Sequence, residues 1–317
     1  RRTASTLRML GARVAISGEE TVVEGVEKPR QPQDVLRCGG SATTLRMLTP
    51  VASAREMFAV FTGDASLRRR PVKELSEALS RLGVQVLSRG GYPPIAVSSS
   101  GFQKDSVAVN ASTTSQHVSG LLLAAPLTMH GLTVQVATDL VSKPYVGLTI
   151  EVMGLHGAVV EREGYTRFNA HGGGYTPRDH VVPGDFSSAA FLIAAALITG
   201  SGIGVSGLGH PGHPDSAVLE AARQMGADIA VKEGILKVLP ASLRCFEFDC
   251  SDTPDLVPPL AAIACHAEGV TRLKGVSRLS QKESDRLKAL CEELGKMGAP
   301  LRVEGDALVV DGGRVLK

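Results

Sequence analysis

The sequence predicts an α/β protein of two domains, built from repeated units of about seventy residues. Three observations lead to this. A helix that ends at Leu or a similar residue, followed by Gly, then Ala or Val, then a strand, recurs at Leu10-Gly11-Ala12, Leu82-Gly83-Val84, His156-Gly157-Ala158, Met225-Gly226-Ala227 and Met297-Gly298-Ala299, and the glycines are separated by 72, 74, 69 and 72 residues. A second helix, rich in small and hydroxyl residues, recurs between these marks. A Gly- and Pro-rich stretch from His171 to Gly184 interrupts both periodicities.

Each recurring element has a local cause. The glycine sits where a helix needs a left-handed residue before the chain turns into a strand. The second helices open at Ser41-Ala42-Thr43-Thr44-Leu45, Thr113-Thr114-Ser115-Gln116-His117, Phe186-Ser187-Ser188-Ala189 and Thr253-Pro254-Asp255, and are followed by short alternating runs such as Leu132–Val136 or Ile203–Val205. Each unit thus holds two helices and three or four short strands. A hydroxyl or acidic residue at one helix start is ordinarily an N-cap. Four in register are different, because helices that converge on one place present free N–H groups and partial positive charge to an anion. The interrupting stretch sets the expected boundary, with a first domain over 1–183 and a second over 184–317. Arg1 to Leu10 reads as the end of a helix already under way, and both ends fall inside a unit, so a longer chain is expected.

Bulk composition narrows the class. With 317 residues, 43% hydrophobic and 21% charged, the chain is globular rather than disordered. A net charge of +2 is too small to imply a nucleic-acid partner. The longest apolar run, Ala189 to Ile198, is about half the ~20 residues a bilayer needs, and reads as a buried helix with no membrane partner. Five cysteines without a CxxC pair fit neither a disulfide framework nor a zinc ribbon, and suit the reducing cytoplasm. Gly200 to Gly204 do not follow a strand and open a helix, so no dinucleotide site is expected. His210 and His213 read as exposed loop histidines lacking a carboxylate at metal spacing. His171-Gly172-Gly173-Gly174 has no nucleophile elbow to accompany it. No metal or cofactor is expected.

The densest charged run is Lys282-Glu283-Ser284-Asp285-Arg286, read as the opening of a helix from Gln281 to Met297, with Lys282, Glu283 and Arg286 on neighbouring faces. Cations at a helix N-terminus oppose its dipole, which an anionic ligand would relieve. A second cluster, Arg68-Arg69-Arg70, precedes Pro71, which suits a first helical turn; one of its arginines is expected to face a ligand and the others solvent. Ser142-Lys143-Pro144-Tyr145 offers a hydroxyl, a cation and a phenol, suited to a phosphorylated polyol or to an ordinary surface loop.

Asp139-Leu140-Val141-Ser142-Lys143-Pro144-Tyr145, Gly184-Asp185-Phe186-Ser187-Ser188-Ala189, Thr253-Pro254-Asp255-Leu256 and Lys282-Glu283-Ser284-Asp285-Arg286-Leu287 resemble, in order, the successive signatures of the 5-enolpyruvylshikimate-3-phosphate synthases. The resemblance implies the two-domain enolpyruvyl transferase fold, with repeated βαβαββ units around a pseudo-threefold axis in each domain and an active site between them. It implies transfer of the enolpyruvyl group of phosphoenolpyruvate to shikimate 3-phosphate by a cytoplasmic enzyme, here expected to be monomeric. By the same resemblance Thr114, Ser115, Ser142, Tyr145, Asp255 and Lys282 contact shikimate 3-phosphate, and Ala42, Arg70, Gln116 and Arg286 contact phosphoenolpyruvate. Asp255 takes the proton of the attacking hydroxyl and Glu283 assists proton transfer at the methylene carbon. Ala42 stands where many members carry glycine, and its methyl group is expected to narrow the room available to the inhibitor glyphosate.

Departures accompany the likeness. The family's early lysine segment and its late Asp-His-Arg segment and lysine have no counterpart here, Gly40-Ser41-Ala42-Thr43 replaces Asn-Ala/Ser-Gly-Thr, and Leu279-Ser280 replaces Leu-Arg. An inactive ligand-binding fragment is therefore one alternative. The sister enzyme that acts on UDP-N-acetylglucosamine is another, disfavoured by Ser142 to Tyr145 and by Lys282 to Arg286.

Overall fold

The computed structural model describes residues 2–209, 212–232, 234–313 and 316; His210 lies outside them. The chain divides into two compact units, Arg1–Arg178 and Asp179–Lys317, each with its own apolar core.

Unit 1 begins with helix α1 (Arg2–Met9) and the hairpin β1 (Arg13–Ser17)–β2 (Glu20–Glu24). Two full repeats follow. The first is β3 (Leu36–Arg37), α2 (Ala42–Ser53), β4 (Glu56–Thr62), α3 (Lys73–Arg81), β5 (Gln85–Arg89) and β6 (Tyr92–Ser100). The second is β7 (Ser106–Val109), α4 (Gln116–Ala124), β8 (Leu132–Val136), α5 (Lys143–Leu155), β9 (Val160–Glu163) and β10 (Arg167–Ala170). In both, the first strand pairs parallel with the second, the second antiparallel with the fourth, and the fourth antiparallel with the third. The alternating strands turn Phe61, Ile95, Val97, Val134 and Phe168 inward beneath α2, α3 and α4.

Unit 2 repeats the plan. It contains α6 (Phe186–Thr199), β11 (Ile203–Val205), α7 (Ala217–Gln224), β12 (Asp228–Lys232) and β13 (Ile235–Leu239), then β14 (Glu247–Asp249), α8 (Val257–Ala264), β15 (Val270–Lys274), α9 (Arg286–Lys296), β16 (Leu301–Glu304) and β17 (Ala307–Asp311). The β14–β17 sheet has the same connectivity as those of unit 1. In the β11–β13 sheet the first strand is reduced to a single parallel bridge, Gly184 to Leu208.

The predicted corners have the predicted backbone. Gly11, Gly83, Gly157, Gly226 and Gly298 adopt φ of +105°, +92°, +82°, +93° and +89°, a region open to glycine and costly for other residues. Each of the first four corners is also closed by the returning chain. The backbone N–H groups of Arg30, Gln103, Thr176 and Arg244 donate to the carbonyls of Leu10, Leu82, His156 and Met225 at 2.8, 2.8, 2.7 and 3.0 Å.

Two local expectations need correction. α6 is not buried all round, since Phe191 and Leu192 are 55% and 49% exposed while Ala190, Ile193, Ala194 and Leu197 enter the core; a 3.6-residue period buries one stripe even of an all-apolar helix. His213 is not a bare loop histidine. Its Nδ1 accepts the N–H of Asp215 at 3.1 Å and its Nε2 lies 3.4 Å from a carboxylate oxygen of Asp185, a partner too distant in sequence for spacing to reveal.

Candidate active site

In unit 1 the candidate residues gather at helix starts. Ser41 caps α2, accepting the N–H of Thr44 at 3.1 Å. Ala42, the first residue of that helix, is 2% exposed and packs in the core. Thr114 accepts the N–H of Gln116 at 3.2 Å, and Ser115, 4% exposed, is the residue from which α4 starts. Helices α2 and α4 touch closely at Gly120, where an added Cβ would stand 2.5 Å from the carbonyl oxygen of Arg46.

That close approach brings Gln116 to Arg46. The guanidinium of Arg46 donates to Gln116 Oε1 at 3.1 Å and to the carbonyl of Pro71 at 2.8 Å, and Gln116 Nε2 donates to Thr43 at 2.9 Å. One network therefore runs past three expected residues: Ala42 adjoins Thr43, Gln116 is inside it, and Arg70 adjoins Pro71. Arg70 is buried, whereas Arg69 is exposed and the exposed Arg68 donates to the carbonyl of Gly63 at 2.8 Å, the one-inward pattern expected of three adjacent arginines. Pro71 lies before the first turn of α3, which starts at Lys73. Next to Gln116, His117 is fully buried, and burial first, then the charge of Arg46, push its pKa down to about 3 against a backbone contact at Asn110 that acts upward.

Ser142 precedes α5 with φ +51°, the one non-glycine residue with positive φ among the described residues, and is 8% exposed. Such strain persists where surroundings over-determine it. Lys143, Pro144 and Tyr145 form the first turn of α5 rather than a loop, and Tyr145 donates its N–H to the carbonyl of Ser142 at 3.2 Å. Thr149 ties this turn to α4, donating to the Tyr145 carbonyl at 2.9 Å and meeting Ser119 at 2.8 Å.

In unit 2 Asp255 lies in a 3₁₀ turn, Pro254–Leu256, ahead of α8. Arg286 donates to its carboxylate and, at 3.0 Å, to that of Glu283, while Lys282 Nζ stands 3.5 Å from Asp255. Burial, the largest influence, pushes the Asp255 carboxyl upward, but the charge of Lys282 and the hydrogen bond and charge of Arg286 together hold it below the usual carboxylate range. The predicted helix from Gln281 is corrected. A 3₁₀ turn ends at Gln281, Lys282 is extended, and Asp285 caps α9 by accepting the N–H of Lys288 at 3.0 Å, so the helix starts only at Arg286. Lys282 and Glu283 reach Arg286 and Asp255 from the preceding bend, not from a helix face.

Arg46 and Thr43 are the residues the sequence reading missed. A lone arginine in the otherwise uncharged α2 was the available clue. A surface groove of about 580 Å³ along α3, lined by Lys73, Ser76, Arg81 and Gly91 among others, contains none of the expected site residues.

Repeated βαβαββ units make the chain an α/β protein assembled by unit repetition. The family profile described as EPSP synthase (3-phosphoshikimate 1-carboxyvinyltransferase) matches residues 1–317. Proteins named 3-phosphoshikimate 1-carboxyvinyltransferase are similar to it: that of Methanosarcina mazei is 39% identical over 98% of this chain and 75% of its own length, and that of Methanopyrus kandleri 41% identical over 99% and 74%. The solved structure of EPSP synthase from Acinetobacter baumannii superposes with a TM-score of 0.79 at 27% identity, covering 99% of this chain and 74% of that one. The chain belongs to the EPSP synthase family.

Proposed function

We propose that the chain performs its family's reaction with the residues described above, moving the enolpyruvyl group of phosphoenolpyruvate to the 5-hydroxyl of shikimate 3-phosphate and releasing phosphate. The observation that carries this division of roles is the Asp255 carboxylate, kept ionised by Lys282 and Arg286, because an ionised carboxylate beside cations can accept the hydroxyl proton. Glu283, joined to the same Arg286, assists proton transfer at the methylene carbon, giving a proton there from its carboxylic acid form. The carbon bearing the phosphate becomes cationic, the hydroxyl oxygen bonds to it, and its proton passes to Asp255. Phosphate then leaves, a methyl proton returns to the Glu283 carboxylate and the proton held by Asp255 passes to the departing phosphate, which restores the double bond and both carboxyl groups.

Thr114, Ser115, Ser142, Tyr145 and Lys282 hold shikimate 3-phosphate by hydroxyls and charge, and Arg70, Gln116 and Arg286 hold phosphoenolpyruvate, with Ala42 bounding the space. The proposal takes domains of 1–183 and 184–317 and a monomer in the cytoplasm, to which the free thiols Cys38, Cys245, Cys250, Cys265 and Cys291 are suited. No described helix is long and apolar enough to cross a membrane.

Phosphate release should require both substrates, and UDP-N-acetylglucosamine should not replace shikimate 3-phosphate. Absence of release with both substrates present overturns the assignment.

A further inference from the structure

We infer that Arg46 is a positioning residue that fixes the side-chain amide of Gln116 as a hydrogen-bond donor toward the anionic substrate. The inference rests on the assignment of Gln116 to phosphoenolpyruvate. Arg46 is 4% exposed, near the start of α2, and its guanidinium spans two elements: one arm reaches Gln116 on α4, the other the carbonyl of Pro71, directly after Arg70.

The chemistry follows from what an amide can do. A glutamine has an accepting oxygen and an NH₂ with two donors, and either end can face a ligand. An accepting oxygen facing a phosphate or carboxylate would repel it. A guanidinium can only donate, so the end of Gln116 that meets Arg46 must be the oxygen. With Oε1 engaged at 3.1 Å and Nε2 donating one hydrogen to Thr43 at 2.9 Å, the second N–H is the one remaining donor for an anion. Arg46 is held at the other end by a backbone carbonyl, so it does not follow Gln116 if the amide rotates. Gly120 makes this possible, because a side chain there would force α4 away from the Arg46 backbone.

A lysine carries the same charge but not the planar fork that serves both acceptors. Arg46→Lys should therefore raise KM for phosphoenolpyruvate about tenfold, the loss of one charge-assisted contact, and leave KM for shikimate 3-phosphate within about twofold. Gln116→Ala should raise the same constant, and adding Arg46→Lys to it should change KM for phosphoenolpyruvate by less than about twofold, because the amide to be oriented is gone. Gln116→Glu serves as the second variant, since it keeps an acceptor for Arg46 and should fold, but it offers no donor and should raise the constant at least as much as Gln116→Ala. If Gln116→Ala leaves KM for phosphoenolpyruvate unchanged, the assignment of Gln116 to that substrate fails. If Gln116→Ala raises it and Arg46→Lys does not, or if Arg46→Lys acts equally strongly in the Gln116→Ala background, the role of Arg46 is overturned while that assignment stands.

Discussion

The guanidinium of Arg286 donates to the carboxylate of Asp255, joining the first turn of α9 to the turn ahead of α8. A cation that holds the proposed base also sets the pH at which that base works. Removing it with Arg286→Ala leaves burial as the largest influence on Asp255, opposed by Lys282 alone, so its carboxyl rises toward or past the usual range. Since a carboxylate acts as base only above its pKa, the acid limb of the kcat profile should move to higher pH. KM for phosphoenolpyruvate should also increase by roughly thirtyfold or more, the lower end of what loss of a charged contact costs. Arg68→Ala, at an exposed residue bonded to the Gly63 carbonyl, should change neither quantity.

Asp255→Asn keeps the shape of the side chain and removes its basicity. Turnover should fall about a hundredfold or more, while shikimate 3-phosphate, followed by calorimetry, still binds. A near-normal rate would reduce Asp255 to a structural ion-pair partner.

His117 makes stability depend on pH in a fixed direction. Its folded pKa, about 3, lies below the ordinary 6.5, so the unfolded chain takes up a proton first as pH falls, and stability is lost from about pH 6.5 downward. Between pH 7 and pH 5 this single group should cost about 2 kcal/mol. His117→Met, with an apolar side chain of similar volume, should lose that much less over the same interval in urea unfolding. Parallel losses in both proteins would show that the buried ring is not the titrating group.

Ala42 poses a choice between pocket wall and core. Its methyl group is 2% exposed and packs in the unit 1 core, so Ala42→Gly should lower the melting temperature, with glycine costing about 1 kcal/mol in a helix. If the same methyl group also limits the space beside phosphoenolpyruvate, sensitivity to glyphosate should rise by roughly one to two orders of magnitude, the range expected for relief of overpacking. A lower melting point with unchanged inhibition would assign Ala42 to the core alone.

What could be read ahead of the structure was local. The five corner glycines were visible because a left-handed residue between helix and strand has a one-residue signature, and the spacing of Gly11, Gly83, Gly157, Gly226 and Gly298 carried the repeat. That only one of Arg68, Arg69 and Arg70 turns inward followed from the impossibility of three adjacent side chains facing one way, whereas the choice of Arg70 rested on the family resemblance. The start of α9 was misread because Lys282 to Arg286 suits a helix as well as a capped bend, and only the Asp285 carboxylate, bound to the Lys288 N–H, decides between them. Arg46 was invisible for another reason: its contact with Gln116 spans 70 positions and exists only because α2 and α4 meet at Gly120. Pairing of that kind is a property of packing, and no short window of sequence contains it.

The backbone bond from each returning segment to its own glycine corner, Arg30 to Leu10 and Gln103 to Leu82 among them, means that the chain leaves a repeat beside one of that repeat's own corners. Modules latched in this way can be duplicated in tandem by joining exit to entrance, with no rebuilding of the neighbour. They can also differ from one another, as the three-stranded sheet of unit 2, with the Gly184–Leu208 bridge in place of a first strand, differs from the sheets of unit 1. A latch that closes within the module leaves its helix starts free to change, and most of the residues proposed to hold the substrates lie at or just before such starts.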